Sequence, residues 1–281
     1  MRVLLTGGLG FIGGHLADRL DNVEIMDKKN GTSTVDFELL SKTVESYKPD
    51  IIVHLGANCS SQISLREPLT DFQDNVIGTI NVLEIARLHN LPVIFNSTMK
   101  VFQGDDGVIP PYGRSKQVGE DYIKTFHDVY GLEYVINRPS SVYGPRQDAS
   151  EDGGWFTWFI KASVENKPVT LFGDGTQSRD VLYVQDCVDL LIDQIENFDK
   201  YKNDDYTFGG GLENEVSLNE LLEELDYTNI RRSDRLKGDV QRFVCDNVKV
   251  SSVNGWKANT HWKEGLNATI SYCRTKSSPA S

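Results

Sequence analysis

Cysteine and histidine are scarce in this sequence and do not cluster. Its 281 residues include four cysteines, Cys59, Cys187, Cys245 and Cys273, and no Cys-x-x-Cys pair. Its five histidines show neither His-x-x-x-His nor His-Glu-x-x-His spacing. A zinc site, a metal-dependent mechanism and a disulfide framework are therefore poorly supported, and we predict no bound metal. Cysteines without a pairing pattern are typical of a reducing compartment, so a cytoplasmic protein is expected.

Long hydrophobic runs and an excess of basic charge are also missing. No apolar run approaches the ~20 residues of a membrane span, and the start, MRVLLTGG, predicts a strand rather than a signal peptide. With 29 Lys and Arg against 41 Asp and Glu, the formal net charge is −12. This charge disfavours nucleic acid and anionic membranes as partners. It does not exclude an anionic small molecule, because a few placed arginines and backbone amides can bind one locally.

The first half of the sequence alternates two patterns. Short β-branched runs predict buried parallel strands at Arg2–Thr6, Val23–Met26, Ile51–Leu55, Val93–Ser97 and Tyr134–Arg138. Helical spacing lies between them at Phe11–Leu20, Phe37–Tyr47, Asp71–His89 and Tyr112–Tyr130. The alternation predicts an α/β fold with a Rossmann-type doubly wound parallel sheet. Such sheets bind ligands at the carboxyl ends of their strands.

The alternation loosens after about Arg146. We predict a nucleotide-binding Rossmann domain over residues 1–167. A smaller C-terminal α/β substrate lobe is expected mainly over 168–274, with the chain crossing between the lobes. The small polar residues of 275–281 predict a disordered tail.

A glycine-rich turn joins the first strand to the first helix. Gly7, Gly10 and Gly13 form a Gly-x-x-Gly-x-x-Gly motif, and Phe11 and Ile12 lie inside it. Glycine permits a tight turn and lets backbone N–H groups approach a pyrophosphate. The preceding strand and following helix are the context that this motif requires, so all five residues are assigned to a dinucleotide site.

A carboxylate follows the second strand, twenty residues after Gly7. Asp27 stands where an acidic side chain accepts hydrogen bonds from the adenosine ribose, which favours NAD over NADP. Lys28 and Lys29 come next and weaken that preference somewhat. Asp36 is assigned either to the adenine amino group or to a helix N-cap. Leu55, at the end of the third strand, completes the predicted NAD site.

Tyr112 and Lys116 stand one turn apart on a predicted helix, so their side chains share a face. A free phenol has a pKa near 10 and is a poor base at pH 7. The Lys116 ammonium and a positively charged nicotinamide ring are predicted to lower that pKa, so that Tyr112 takes a proton from a substrate hydroxyl. Thr98, at the end of the fourth strand, is expected to hydrogen-bond the same oxygen. Ser97 is the second candidate for that contact.

The chain resembles the extended short-chain dehydrogenase/reductase family over nearly its whole length. The resemblance is carried by segments that include TGGLGFIG, YGRSK, RPSSVYGPRQ, LFGDGTQSRDVLYVQD and GWKANTHWKEGL. It implies a nucleotide-sugar epimerase or dehydratase that uses NAD with Tyr112, Lys116 and Thr98. The closest similarity is to the CDP-tyvelose (CDP-paratose) 2-epimerase branch. It also implies a homodimer formed through the helices predicted at Asp71–His89 and Tyr112–Tyr130.

The residues after Thr98 restrict the chemistry that the resemblance implies. The 4,6-dehydratases of the family have Asp-Glu at this place, whereas this chain has Met99 and Lys100. Water elimination needs a carboxylic acid and base, so dehydration is disfavoured. Lys100 is assigned either to a sugar hydroxyl or phosphate, or to solvent. Ser141 replaces an asparagine that many UDP-sugar 4-epimerases have at the sugar-diphosphate contact, which disfavours a plain UDP-galactose assignment.

Three residues in the second half of the chain resemble the family's nucleotide contacts. Arg179 is implied to bind the diphosphate, a task suited to a bidentate guanidinium. Arg235 and Asp239 resemble an Arg-x-Gly-Asp element that binds phosphate and the nucleotide ribose, although here the arginine is one residue farther from the glycine. Surface ion pairs are the alternative for both arginines. The expected partner is therefore a nucleotide-diphosphate sugar.

Several functions stay open at this point. The leading prediction is an NAD-dependent nucleotide-sugar epimerase that oxidises a sugar carbinol transiently to a ketone and returns the hydride. The alternatives are a net NAD(P)-dependent oxidoreductase (a 4-ketosugar reductase or a dehydrogenase), then a 4,6-dehydratase, then a non-catalytic NAD-binding regulator.

Overall fold

The computed structural model describes residues 1–277. Within them the strands are β1 (Val3–Thr6), β2 (Val23–Met26), β3 (Ile51–His54), β4 (Val93–Asn96), β5 (Tyr134–Pro139), β6 (Ser141–Tyr143), β7 (Val169–Phe172), β8 (Ser178–Tyr183), β9 (Asp204–Phe208), β10 (Glu215–Ser217), β11 (Ile230–Ser233) and β12 (Arg242–Phe243). The helices are α1 (Phe11–Ala17), α2 (Phe37–Tyr47), α3 (Ser61–Arg66), α4 (Pro68–Phe72), α5 (Gly78–His89), α6 (Pro111–Tyr130), α7 (Trp155–Glu165), α8 (Val184–Glu196), α9 (Phe198–Tyr201), α10 (Leu218–Glu224), α11 (Val248–Asn254) and α12 (Trp262–Ser277).

The chain folds into two compact units that are not contiguous in sequence. The first unit contains Met1–Val101, Pro110–Arg138 and Val188–Tyr206, and the second contains Phe102–Ile109, Pro139–Cys187 and the chain from Thr207 onward. These units differ from the predicted domains, because residues 139–167 belong to the second unit and residues 188–206 to the first. The reason for the return to the first unit is β9, which joins the edge of that unit's sheet.

The first unit is built on a six-stranded sheet in the order β2-β1-β3-β4-β5-β9. The pairs β1–β2, β1–β3, β3–β4 and β4–β5 are all parallel, which confirms the predicted Rossmann-type sheet. The predicted strand ends agree with these strands to within one residue. Because β2 and β3 lie on opposite sides of β1, the winding direction reverses between β1 and β3. A ligand crevice opens at the carboxyl ends of the strands at such a reversal.

Apolar side chains from both the sheet and its helices form the core of the first unit. The fully buried members include Leu4 of β1, Ile52 of β3, Phe95 of β4 and Ile136 of β5. Leu40 and Val44 of α2 and Val82, Leu83 and Ala86 of α5 pack against the same cluster. Since the strands are covered by helices, their sequences are continuously apolar rather than alternating.

One predicted helix is interrupted in the structure. The single helix predicted over Asp71–His89 is instead α4, a π-helical segment at Gln73–Ile77, and α5. A π turn inserts one extra residue per turn and rotates the side chains that follow, and such segments occur often at functional sites. The predicted helix over Tyr112–Tyr130 is present as α6, with Pro111 in its first turn and Gly131 in the left-handed region at its end (φ +75°). This arrangement is the usual one for helix ends.

The second unit has β8 at its centre. Strand β8 pairs antiparallel with β10 and parallel with β6 and β12, and a separate two-stranded sheet joins β7 and β11. Helices α7 and α12 pack on one aromatic core that includes Tyr143, Phe156 and Trp262. This mixture matches the expected smaller C-terminal α/β lobe.

Helix α12 continues to Ser277, so residues 275–277 are helical rather than part of the predicted disordered tail. The other four residues of that prediction, 278–281, lie outside the described residues. No helix in residues 1–277 combines the length and the hydropathy that a membrane crossing needs.

Candidate active site

The carboxyl ends of β1, β3 and β4 surround a cavity of about 360 Å³ in the first unit. Its lining contains most of the cofactor residues predicted from the sequence: Gly7, Gly10, Phe11, Ile12, Gly13, Asp27, Leu55 and Lys116. Tyr112 and Ser97 line the same cavity. The structure therefore brings the predicted cofactor motif and the predicted Tyr/Lys pair together in one place.

The glycines of the turn leave space that any side chain would fill. Gly7 has a left-handed backbone (φ +73°), and a Cβ there would lie 2.7 Å from the Gly56 nitrogen at the end of β3. A Cβ on Gly13 would lie 2.1 Å from the Gly7 carbonyl oxygen. The turn thus packs directly on helix α1 and on the neighbouring strand, and exposes backbone to the cavity. This cradle fits a dinucleotide pyrophosphate.

Asp27 lies at the end of β2, on the side of the cavity where a ribose hydroxyl was predicted. Its Oδ2 accepts a hydrogen bond from the Leu9 N–H at 3.0 Å, and its Oδ1 accepts one from the Lys29 N–H at 2.9 Å. A carboxylate offers about four lone-pair positions, so acceptor capacity remains for a ligand. The carboxylate also fixes the glycine turn through Leu9.

The two lysines after Asp27 are engaged with the protein. The Lys28 ammonium lies 2.5 Å from Asp74 Oδ1, and the Lys29 ammonium donates to the Leu9 carbonyl oxygen at 3.1 Å. A 2′-phosphate would have to compete with Asp74 for Lys28 and would face Asp27. Both contacts support the predicted preference for NAD over NADP.

Asp36 does not line the cavity. Its side chain caps α2 by accepting a hydrogen bond from the Leu39 N–H at 3.0 Å. Of the two predicted roles, the structure shows the N-cap, and the adenine contact stays a prediction. Thr34 and Val35, which precede Asp36 in the loop, line the cavity instead.

Tyr112 is buried at the start of α6, and the buried Thr98 side chain is close enough to its phenol to lower the phenol pKa. Its backbone N–H donates to Ser64 Oγ at 3.1 Å, which satisfies one of the free N–H groups of the helix start. Burial raises the pKa of Tyr112, Cys59 and Asp71 add to the rise, and the Thr98 hydrogen bond opposes it. The predicted lowering of this pKa by Lys116 was therefore wrong for the polypeptide.

Lys116 is itself buried, with 2% of its surface exposed. Burial lowers the pKa of Lys116 to about 7, while Glu120, Cys59 and Asp71 oppose the change. The ammonium nitrogen lies 4.0 Å from the centre of the Phe95 ring. Burial therefore disfavours the charged form of both the Tyr112 phenol and the Lys116 amine.

Ser97 and Lys100 lie on either side of Thr98 but differ in surroundings. The buried Ser97 hydroxyl donates to Glu120 Oε1 on α6. Lys100 belongs to a 3₁₀ turn at Met99–Val101, where its N–H donates to Thr98 Oγ1 at 3.2 Å. Lys100 does not line the cavity, so its contact with the sugar stays a prediction. Met99 is buried, and the position holds no carboxylate.

Several polar residues near Tyr112 and Lys116 were not predicted from the sequence. Asn75, in the π segment, accepts from the Asn58 N–H at 2.8 Å and donates to the Asn58 carbonyl oxygen at 3.0 Å. It also donates to Asp71 Oδ1 and to Ser115 Oγ at 2.9 and 3.0 Å. These bonds fix the loop that carries Cys59 along the cavity. Only the π turn places Asn75 there, and no local sequence signal predicts that turn.

The predicted substrate residues beyond Lys100 lie in the second unit. Arg179 of β8 is buried, and its guanidinium contacts Asp239 Oδ1 at 2.5 Å and the Val240 carbonyl oxygen at 2.7 Å. Arg235 pairs instead with Asp105 Oδ2 at 2.7 Å. Both arginines thus form ion pairs, the alternative considered for them in the sequence, and their contacts with a nucleotide sugar stay predictions.

A loop of the second unit, Phe102–Ile109, holds the segment around Asp239. Asp105 also accepts from the Gln241 N–H at 2.7 Å, and Asp106 accepts from the Gly238 N–H at 3.0 Å. Ser141 accepts a hydrogen bond from the Trp155 indole at 3.2 Å. The roles predicted for Arg179, Arg235, Asp239 and Ser141 in substrate binding are not tested by these contacts. Among residues 1–277, no group of three or more His, Cys, Asp or Glu side chains is placed so that it could hold a metal ion.

Comparison with known proteins agrees with this geometry. Residues 3–209 match the NAD dependent epimerase/dehydratase family. CDP-paratose 2-epimerase of Salmonella typhi is 31% identical, over 95% of this chain and 97% of that protein. UDP-glucose 4-epimerase of Thermotoga maritima, solved with UDP-glucose, is 30% identical with a TM-score of 0.86, over 98% of this chain and 99% of that one. UDP-glucose 4-epimerase of Thermus thermophilus, solved with NAD, is 26% identical with a TM-score of 0.85, over 98% of this chain and 99% of that one.

The fold and the site thus define an enzyme built on a Rossmann-type sheet. The chain belongs to the NAD-dependent epimerase/dehydratase family, and the predicted resemblance is confirmed. Its cofactor is NAD, as the sequence predicted.

Proposed function

We propose that this enzyme is an NAD-dependent nucleotide-sugar epimerase. The observation that carries the proposal is that Tyr112 and Lys116 line the same cavity as the glycine turn, with the Thr98 side chain beside the Tyr112 phenol. This group handles a proton at a carbinol oxygen, which transient oxidation of a sugar requires. Relatives with either 2-epimerase or 4-epimerase in their names support the reaction class.

Different residues of the chain bind the cofactor and transfer the proton. Gly7, Gly10 and Gly13 hold the pyrophosphate of NAD, and Asp27 accepts from its adenosine ribose. When bound, NAD⁺ supplies a hydride acceptor. Its positive charge also offsets the cost of forming a phenolate in a buried site. Tyr112 takes the proton from the sugar hydroxyl and returns it to the new alcohol. Thr98 orients the phenol oxygen, because its side chain lies beside Tyr112 and favours the phenolate.

Dehydration is less well supported than epimerisation. A 4,6-elimination needs an acid and a base next to Thr98, and the chain has a buried methionine and a lysine there. Family members named as decarboxylases or dehydratases are also similar to this chain. The side chains at positions 99 and 100 therefore favour an epimerase over a 4,6-dehydratase. A net oxidoreductase is distinguished from an epimerase by the assay below.

The substrate we propose is a nucleotide-diphosphate sugar. Arg179 and Asp239 lie side by side in the second unit, and an arginine can grip a phosphate while an aspartate accepts from a ribose. Solved relatives contain UDP-glucose or UDP-glucuronic acid. Lys100, Ser97, Ser141 and Arg235 are further proposed contacts.

We also propose a homodimer located in the cytoplasm. The helices α4 to α6, in the first unit, leave large apolar side chains exposed, among them Leu69, Phe72, Ile77 and Val129. Contiguous exposed apolar groups are typical of protein interfaces. All four cysteines are free thiols, which agrees with a reducing compartment.

The test is a panel of nucleotide sugars incubated with the purified enzyme and catalytic NAD⁺. UDP-glucose, UDP-glucuronic acid and CDP-paratose are included, products are identified by NMR, and absorbance at 340 nm is followed. We expect one sugar to give its epimer without steady accumulation of NADH. Steady NADH formation or consumption in proportion to the substrate would instead establish a net oxidoreductase.

A Tyr112→Phe variant tests the catalytic assignment in the same assay. Loss of the hydroxyl is expected to lower kcat by roughly 10²- to 10⁴-fold, the usual contribution of acid–base catalysis, while NAD still binds. Tyr272→Phe, on α12, is the matched control and is expected to keep full activity. Unchanged turnover in Tyr112→Phe would overturn the assignment.

A further inference from the structure

A buried chain of polar side chains runs behind the candidate active site. Glu120 of α6 is 4% exposed, and Arg138 of β5 contacts it through Nε at 2.9 and 3.0 Å and through Nη2 at 2.5 Å. Arg138 also bonds to Asp205 of β9. At the other end, Glu120 accepts from the Ser97 hydroxyl at the end of β4. One carboxylate thus connects β4, α6 and β5, and reaches β9 through Arg138.

Glu120 is also one helical turn beyond Lys116, so both side chains lie on the same face of α6. Tyr112, one turn earlier, lies on that face too. The charged and titratable groups that face Lys116 come from three other places: His54 of β3, Cys59 of the following loop, and Asp71 of α4. His54 is buried between Thr6 and Thr79, and burial lowers its pKa to about 3, so it carries no charge near neutral pH.

Among these groups Glu120 is the one whose position is fixed by a guanidinium. Burying an unpaired carboxylate would be strongly unfavourable, whereas the bidentate contact with Arg138 pairs the Glu120 carboxylate and orients it. Asp71 is buried with the hydroxyl and amide of Ser115 and Asn75, and burial raises its pKa. Desolvation raises the pKa of the Cys59 thiol, which favours its uncharged form. Glu120 therefore provides the most firmly placed negative charge near Lys116.

We propose that Glu120 is a positioning residue for the Tyr112–Lys116 pair: held by Arg138 and Asp205, its carboxylate orients the Ser97 hydroxyl and keeps the proton on Lys116. The inference rests on the proposed function for its catalytic meaning. All the residues that it involves belong to the first unit. The burial that lowers the pKa of Lys116 to about 7 is what makes a neighbouring carboxylate decisive near neutral pH.

The experiment measures the ionisation of Lys116 directly. Protein labelled with ¹³C at the lysine ε-carbon is titrated by NMR without substrate, and the Lys116 signal is assigned with Lys116→Arg. In Glu120→Gln we expect the Lys116 pKa to fall by about one unit or more, the usual effect of removing an adjacent opposite charge. The basic limb of the kcat/KM profile should move to lower pH with it. An unchanged Lys116 pKa in folded Glu120→Gln would overturn the proposal.

Glu84→Gln is the matched control, because Glu84 forms a comparable pair with Arg87 on α5. It is expected to leave the Lys116 titration and the pH profile unchanged. If Glu120→Gln does not fold, Asp205→Asn is the second test. Arg138 then keeps one carboxylate instead of two, so the Lys116 pKa should fall, but less; no change or a rise would overturn the proposal.

The NMR titration and the activity assay can fail independently. A shifted Lys116 pKa in a protein that converts no nucleotide sugar would keep the Glu120 inference and remove the proposed function. An active epimerase with an unshifted Lys116 would do the opposite.

Discussion

At the scale of single residues, burial decides the charge of the candidate catalytic pair. The spacing of Tyr112 and Lys116 predicted that they share a helix face and a cavity, and both line it. Their ionisation could not be predicted in the same way, because it depends on how completely the fold covers each group. Lys116 is buried against Phe95, which spacing alone does not reveal.

Lys116→Met tests this burial through the pH dependence of stability. The unfolded lysine holds its proton up to about pH 10.4, whereas the folded one releases it at about 7. Between these values the unfolded state binds more protons, so the Lys116 contribution to the free energy of unfolding rises with pH. Lys116→Met should therefore stabilise the protein most below pH 7, by on the order of a few kcal/mol, and progressively less toward pH 10.

Urea unfolding at several pH values measures this difference. Lys124→Met is the matched control, since Lys124 is on the same helix but exposed to solvent. A stability difference for Lys116→Met that is constant from pH 6 to 10 would show that the lysine titrates normally.

At the scale of elements, turns and helix ends were easier to predict than helix interiors. The turn at Gly7–Gly13 follows from steric demands that only glycine meets, so its place and purpose could be read from three residues. The π segment at Gln73–Ile77 could not, because its apolar spacing is that of an ordinary helix. Asn75 bonds to the Asn58 backbone on another element, and only the assembled fold shows that contact.

Gly13→Ala tests the close packing of the glycine turn. The added Cβ would lie 2.1 Å from the Gly7 carbonyl oxygen, so the backbone must shift. We expect a loss of about 1–3 kcal/mol in stability, as for other overpacked sites, and at least tenfold weaker NAD binding. Calorimetry and thermal unfolding measure both quantities.

Gly10→Ala provides the graded comparison, since its Cβ would lie 3.1 Å from the same oxygen. Its effects on NAD affinity and stability should be smaller. Equal NAD affinity in Gly13→Ala and the unmodified protein would contradict the cradle that we assign to the turn.

At the scale of the whole molecule, the sequence predicted the class of fold and the presence of two parts, but not their division. The boundary placed at residue 167 relied on a local loosening of the pattern. Residues 188–206 return to the first unit because β9 completes the sheet edge next to β5, a pairing between segments about seventy residues apart. Pairings at that distance leave no trace in a local pattern. Arg179 and Arg235 could be picked out in the sequence, but their ion-pair partners, Asp239 and Asp105, are set by the tertiary fold.

The proposed homodimer is tested by placing a charge on its predicted surface. Phe72 is 49% exposed between α4 and the π segment, and Phe72→Glu should shift the mass in solution from twice 31.5 kDa toward one chain. Light scattering after gel filtration measures this mass. Leu212→Glu, at a 72% exposed leucine of the second unit, is the control and should stay dimeric. A single-chain mass for the unmodified protein would refute the dimer.

In the proposed reaction, a sugar carbon is inverted by removing a hydride and returning the same one, while Tyr112 carries the proton. The most direct measurement uses the sugar that the panel identifies, prepared with deuterium on every ring carbon and incubated with the enzyme in ordinary water. Mass spectrometry and NMR of the epimer should show all the deuterium still in place, including at the inverted carbon. Replacement of that deuterium by solvent hydrogen would show that the carbon is inverted by proton exchange, and would contradict the account.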